Sequence, residues 1–278
     1  MTLQQVLAEI LASEPLLAEA RADPEAFARA HDVDADTVCR LVASPGLHTS
    51  ASIVRAARAG RILAAYPGTF AVVGSAAGRA ALMSAAMTAG AVSTLAGLGE
   101  VGERLAHSVS VDAPRQVPVA DLGLLREMIR YETACHRLRL SARSTADVPE
   151  MPALAPGVLL TSFDRPVAAI RRHVLEGDQG SEGVGPVGTS HYLLRSVGDP
   201  VRVLAHRLAP LLAALLSACD GRREACLVAA EAGVPAETGF RSLCRLEEQG
   251  VITWPGAAHQ TVKPAPALAR DPGDRNEA

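Results

Sequence analysis

Apolar residues recur at helical spacing along most of this chain, and the spacing breaks where Gly, Pro, Asp or Ser cluster. The pattern is densest over 208–254. Leu208, Leu211, Leu212, Leu215 and Leu216 fall on one helical face until Cys219-Asp220-Gly221 supplies a turn. A second short helix runs to the breaker Gly233-Val234-Pro235. A third, over 236–249, carries Phe240, Leu243 and Leu246 toward a core, and Gly250 ends it before the β-prone Val251-Ile252-Thr253-Trp254. Three helices closed by a short β segment form a winged-helix pattern, a shape that holds nucleic acid or a peptide.

Two β-prone runs precede this region, 192–195 and 201–204, separated by the turn signal Gly198-Asp199-Pro200. A hairpin set before three helices leaves an edge strand. An extended peptide can add to such an edge through main-chain hydrogen bonds, with its side chains between the last hairpin strand and the third helix. The third helix itself is a poor reader of DNA, because Arg241 and Arg245 are opposed by Glu237, Glu247 and Glu248.

Toward the N-terminus the periodicity predicts helices over 2–11, 14–21, 24–31 and 35–42. Asp23 stands as an N-cap before Pro24 at the first helical position, and Asp34 can cap the next helix. A longer helix over 49–65 spaces Arg55, Arg58 and Arg61 along one face and is ended by Tyr66-Pro67-Gly68-Thr69. Small-residue helices follow over 70–106, then a proline-bearing linker at 112–118. A strong helix over 119–139 is expected to bury Leu122, Leu125, Met128 and Ile129 and to present Arg126, Glu127, Arg130, Glu132 and Arg137. The Ser, Asp and Pro content of 141–156 predicts a domain boundary, followed by a strand over 157–163, a helix over 167–175 and a glycine-rich loop over 176–189.

Composition narrows this picture to mainly α. The chain has 278 residues, 49% of them hydrophobic but only 3% aromatic, which suits Ala- and Leu-rich helices packed as two domains. The expected division is a helical domain over 1–145, a C-terminal α+β winged-helix domain with a small β-sheet over 155–258, and a disordered tail over 259–278. A net charge of −3 argues against broad electrostatic binding to nucleic acid or anionic membranes. The uncharged stretch 80–99 is built largely of Ala, Gly, Ser and Thr, so it reads as buried helix and not as a membrane span. The first residues lack the basic start of a secretory signal, and a cytosolic protein is expected.

Candidate chemistry is sparse. No dinucleotide, phosphate-loop, nucleophile-elbow or zinc-protease motif occurs, and Cys39, Cys135, Cys219, Cys226 and Cys244 form no metal-ligand spacing. His136 and Glu132 stand one helical turn apart. Without further ligands they read as a surface hydrogen bond and not as half of a metal site, and His173, His191 and His206 fare no better.

The stretch 211–221, with Gly233, Leu246 and Gly250-Val251, resembles the PqqD-like leader-recognition domains of peptide-modifying systems, in which a strand segment precedes a leucine-rich helix ending in a CDG-type turn. The helix Asp121-Leu122-Gly123-Leu124-Leu125-Arg126-Glu127-Met128-Ile129-Arg130-Tyr131-Glu132 is similar to the recurring L-x-D-L-A-R-x-E helix of the partner proteins of multinuclear non-haem iron-dependent oxidases. Together these resemblances imply a non-catalytic accessory subunit that binds the leader of a ribosomally made precursor peptide and docks it on an iron-dependent oxidase. No cofactor is then expected in this chain, the iron belonging to the partner enzyme. Val201, Arg202, Val203 and Leu204 with Arg241 and Arg245 would hold the leader. Arg55, Arg58, Arg61, Arg130 and Glu132 would face the oxidase. The competing expectation is a winged-helix transcription regulator bound to DNA.

Overall fold

A computed structural model of the chain describes residues 2–73, 75–87, 95–111, 119–141, 149–177 and 188–254. The expected linker at 112–118, the tail at 259–278 and much of the glycine-rich loop lie outside the described residues. The architecture is mainly α with two small antiparallel sheets, as composition and periodicity predict.

Four short capped helices open the chain. Helix α1 (Leu3–Ala12) starts in a reciprocal capping box between Thr2 and Gln5, α2 (Glu14–Ala22) is capped by Ser13, and α3 (Pro24–His31) is capped by Asp23 with Pro24 at its first turn. Asp34 caps α4 (Ala35–Val42) through the Thr37 amide at 2.8 Å. These helices wrap around Val6, Ile10, Leu17, Phe27 and Val38, and the first turns of α5 (Pro45–Ala65) close that core with Leu47 and Ala51. Helix α5 begins four residues before the expected start, because Ser44-Pro45 already forms a cap-and-proline N-terminus.

The segment read as a helix stop is a junction. Tyr66 ends α5, and Pro67 opens the one-turn helix α6 (Pro67–Ala71). Helices α7 (Ala76–Met87), α8 (Leu95–Val111) and α9 (Val119–Ser141) follow. Helix α9 is buried on two sides, which explains why it lacks a sharply amphipathic pattern. Leu122, Leu125 and Ile129 join Tyr66, Phe70, Val101 and Leu105 in one core. Leu124, Met128, Tyr131 and Leu138 join a second core with Phe163, Ile170, Tyr192 and Leu194.

That second core is roofed by a sheet. Strand β1 (Ala153–Leu154) is separate from it, whereas β2 (Val158–Phe163), β3 (Ser190–Val197) and β4 (Arg202–Leu208) form a three-stranded sheet in that order, and α10 (Val167–Leu175) lies between β2 and β3 in sequence. Strands β3 and β4 pair antiparallel from His191 opposite Leu208 to Val197 opposite Arg202. Gly198, at φ +73°, makes the turn. No helix among the described residues is long and apolar enough to cross a membrane.

The chain divides into two compact units, 1–144 with 159–208, and 145–158 with 209–278. The hairpin therefore belongs with the helical unit and not with the three C-terminal helices, a different division from the expected 1–145 and 155–258. The reason is burial: Tyr192 and Leu194 of β3 pack against the α9 side chains, and an apolar strand face goes where it loses most water.

The second unit holds α11 (Pro210–Ser217), α12 (Ala225–Glu231) and α13 (Ala236–Glu248). Leu208, expected as the first leucine of the helix, is instead the last residue of β4, and Ala209 is the N-cap of α11. Strand β5 (Ile252–Thr253) pairs antiparallel with β1, and Asp220 bridges Ala153. The Cys219-Asp220-Gly221 turn is fixed from both sides: Gly221, at φ +77°, donates to the Pro152 carbonyl at 2.9 Å, and the Asp220 carboxylate accepts from the Arg222 amide at 2.9 Å. Trp254 packs edge-on against Phe240 with centroids 5.2 Å apart. The strand that accompanies these helices is thus recruited from 153–154 and not from the hairpin that immediately precedes them.

Burial also settles the thiols. Desolvation pushes the Cys135 thiol up to about 11 and Cys219 up to about 12, while Cys226 is exposed. A thiol reagent at neutral pH is therefore expected to modify Cys226 well ahead of Cys135 and Cys219, which should react only under denaturing conditions. Peptide mapping after timed alkylation reads this order, and early labelling of Cys219 in the folded chain would contradict it.

Candidate functional site

Strand β4 is an edge. It pairs with β3 on one side, and no strand pairs with its other side among the described residues. Alternate residues of the seven from Arg202 to Leu208 thus offer unpaired main-chain donors and acceptors of the kind that recruit another extended chain. Of the four β4-region residues expected to hold a peptide, Arg202, Val203 and Leu204 lie in this strand and Val201 lies in the turn before it.

Alternation sorts the side chains. Val203 and Ala205 turn toward the α9 core, in line with Tyr192 and Leu194 on β3. Arg202, Leu204 and His206 project from the opposite face and are exposed, Leu204 to 45%. Arg207 is exposed although it falls on the core side of the register. His206 and Arg207 are the members of this edge that sequence reasoning missed. The pairing with β3 continues through Leu208, but the apolar alternation stops at Ala205, and the leucines beyond pull the reading toward a helix.

Arg241 and Arg245 lie on α13, in the other compact unit. Both are exposed, and Arg241 forms an ion pair with Glu237 one turn earlier at 3.1 Å. That pairing leaves α13 with little free positive charge, consistent with its poor suitability for phosphate contact.

The residues expected to face an oxidase separate by burial. Arg61 and Arg130 are exposed, while Arg55 and Arg58 are half-buried. Desolvation lowers the Arg58 pKa, and Glu100 acts in the opposite direction. Arg130 donates to the Ser162 carbonyl at 3.1 Å and lies 5.1 Å from the Phe163 ring centroid, so part of its capacity is already committed.

Glu132, expected at the oxidase-facing surface, is buried instead. It is 2% exposed, and its carboxylate accepts from the Gly68 amide at 2.9 Å, the Thr69 amide at 2.9 Å, the Thr69 hydroxyl at 2.8 Å and Arg171 Nε at 2.7 Å. Such a group cannot sit on a docking surface. It locks α9, α6 and α10 together. Glu127, also expected at the surface, is buried, with Oε1 accepting from the Asp164 amide at 2.6 Å.

The expected surface hydrogen bond between His136 and Glu132 is absent for the same reason. His136 is buried, and its Nε2 lies 2.8 Å from the Ala65 carbonyl, which can only accept; the proton is therefore on Nε2. Burial lowers the His136 pKa, opposed by that hydrogen bond. Among the described residues no group of three His, Cys, Asp or Glu side chains is placed to hold a metal ion. His191 Nδ1 lies 2.7 Å from the Ser162 hydroxyl, and among the described residues no carboxylate hydrogen-bonds His191 to complete a triad. No protein-family model matches this chain, and no curated protein matches it.

Proposed function

We propose that this chain is a non-catalytic cytosolic accessory subunit that holds the leader of a precursor peptide on the edge of β4 and brings it to an iron-dependent oxidase. The observation that carries the reading is the open edge of β4, a seven-residue strand whose exposed side chains flank an unpaired main-chain ladder. The DNA alternative is disfavoured by the carboxylates of α13 and its internal Arg241–Glu237 pair. Arg61 and Arg130 are the exposed cations left for contact with the oxidase.

Purification of the tagged chain from its host, with mass spectrometry and iron analysis, tests the partner. Recovery of an iron-bearing enzyme supports the reading, and recovery of the chain with DNA alone would sink it. The edge is tested by two proline variants. Successive strand amides point to opposite sides, so of Val203→Pro and Leu204→Pro one removes an outward donor and the other a donor to β3. The variant that keeps its thermal transition is expected to lose leader affinity by tenfold or more. Unchanged affinity in that folded variant would remove strand addition as the binding mode.

A further inference from the structure

The two strands of the hairpin that bears the open edge carry charge of one sign, and the single carboxylate of the hairpin, Asp199, lies in the turn between them. Strands β3 and β4 contain Arg195, Arg202 and Arg207 with His191 and His206, and neither strand contains a carboxylate. This is a local excess in a chain of net charge −3. Arg195, Arg202 and Arg207 make no ion pair among the described residues, whereas Arg104, Arg137, Arg171, Arg223 and Arg241 each have a carboxylate partner.

Positive charge on an edge disfavours a second copy of the same strand, because cross-strand like charges repel. It favours a strand that brings the opposite sign. Building on the reading of β4 as a peptide edge, we propose that its ligand is an extended acidic segment of defined spacing. A carboxylate lies opposite Arg202, an apolar side chain opposite Leu204 two positions on, and a second carboxylate opposite Arg207 three positions further. The spacing follows from the strand: Arg202 and Leu204 share a face, and Arg207, an odd number of residues from both, projects from the other. An acidic peptide of this pattern straddles the edge with one carboxylate on each face, while Leu204, 45% exposed, is covered by its apolar partner. Nucleic acid does not meet the same demands, since phosphate cannot pair with the strand's unpaired amides and carbonyls in a regular ladder.

The test uses the full chain and three fluorescein-labelled peptides with the cores Glu-Thr-Val-Val-Thr-Glu, Gln-Thr-Val-Val-Thr-Gln and Lys-Thr-Val-Val-Thr-Lys, which set an apolar side chain opposite Leu204 in either strand direction, read by anisotropy at two salt concentrations. The acidic peptide is expected to bind at least tenfold tighter than the glutamine peptide, with the margin narrowing as salt rises. The double variant Arg202→Glu with Arg207→Glu, both surface positions, should keep its melting temperature, lose the acidic peptide and gain the lysine peptide. Equal affinity for the acidic and glutamine peptides, both lost in the edge-blocking proline variant, would overturn the acidic specificity and leave strand addition standing. Binding of no peptide would overturn both. Displacement of the acidic peptide by single-stranded DNA of equal charge, or a dimer that dissociates in the double variant, would also overturn the proposal.

Discussion

Glu132→Ala is expected to destabilise the helical unit by about 3–5 kcal/mol, the range for breaking a buried ion pair by removing one member. The carboxylate gathers four donors, and its loss leaves the Gly68 and Thr69 amides at the start of α6 without acceptors in a site closed to water. It also leaves the Arg171 guanidinium without its anion. Arg171→Met should cost less, because Arg171 is 32% exposed and the three other donors remain on Glu132. Glu132→Gln should fall between them, since the amide replaces one acceptor oxygen with a donor facing donors. Urea denaturation with a constant slope measures the series. A loss below about 1 kcal/mol for Glu132→Ala, within the range of an exposed pair, would show that this carboxylate is not the lock described.

Gly102→Ala and Gly239→Ala are expected to destabilise the chain, against the helix propensity that favours alanine by about 1 kcal/mol. Gly102 lies in α8, and a Cβ there would overlap the Thr133 hydroxyl and meet the Tyr66 hydroxyl at 2.6 Å, where Tyr66 Oη donates to the Leu98 carbonyl at 2.6 Å. Gly239 lies in α13, and its Cβ would overlap the Cβ of Ala229 in α12, an atom with no rotamer to escape into. The two helices must separate there, so the loss should reach the upper part of the roughly 1–3 kcal/mol range for overpacking. Gly60, on α5, has nothing within 4 Å of a built Cβ and serves as the control. Gly60→Ala should stabilise by about 0.5–1 kcal/mol. If all three substitutions stabilised alike, the close approach of α8 to α9 and of α12 to α13 would be wrong.

These cases separate what a sequence carries from what it does not. Gly102, between Val101 and Glu103, and Gly60, between Ala59 and Arg61, are both glycines inside helices, and neither local sequence shows which of them meets a close neighbour. The difference lies in the helix that packs against each. Glu132 has the same character: one turn from His136 on a helix with alternating charges, it reads as a surface residue, and only the approach of Gly68, Thr69 and Arg171 from distant parts of the chain makes it a buried junction. For the candidate site, the hairpin at 192–204 was legible from β-prone runs around a Gly-Asp-Pro turn. Its extension through Arg207 was hidden by the leucines that follow.

The sequence by itself determined the local order: four capped N-terminal helices, the long α5 and α9, the hairpin turn, and the three C-terminal helices with the Cys219-Asp220-Gly221 turn. Caps, breakers and apolar spacing act over a few residues, so they are written where they operate. The tertiary structure alone decided that α9 is buried on two sides, that β1 and not the hairpin pairs with β5, and that β4 is left as an unpartnered basic edge among the described residues. Those outcomes depend on which apolar faces exclude the most water against one another and which strands find partners far away in sequence. No local pattern encodes that competition.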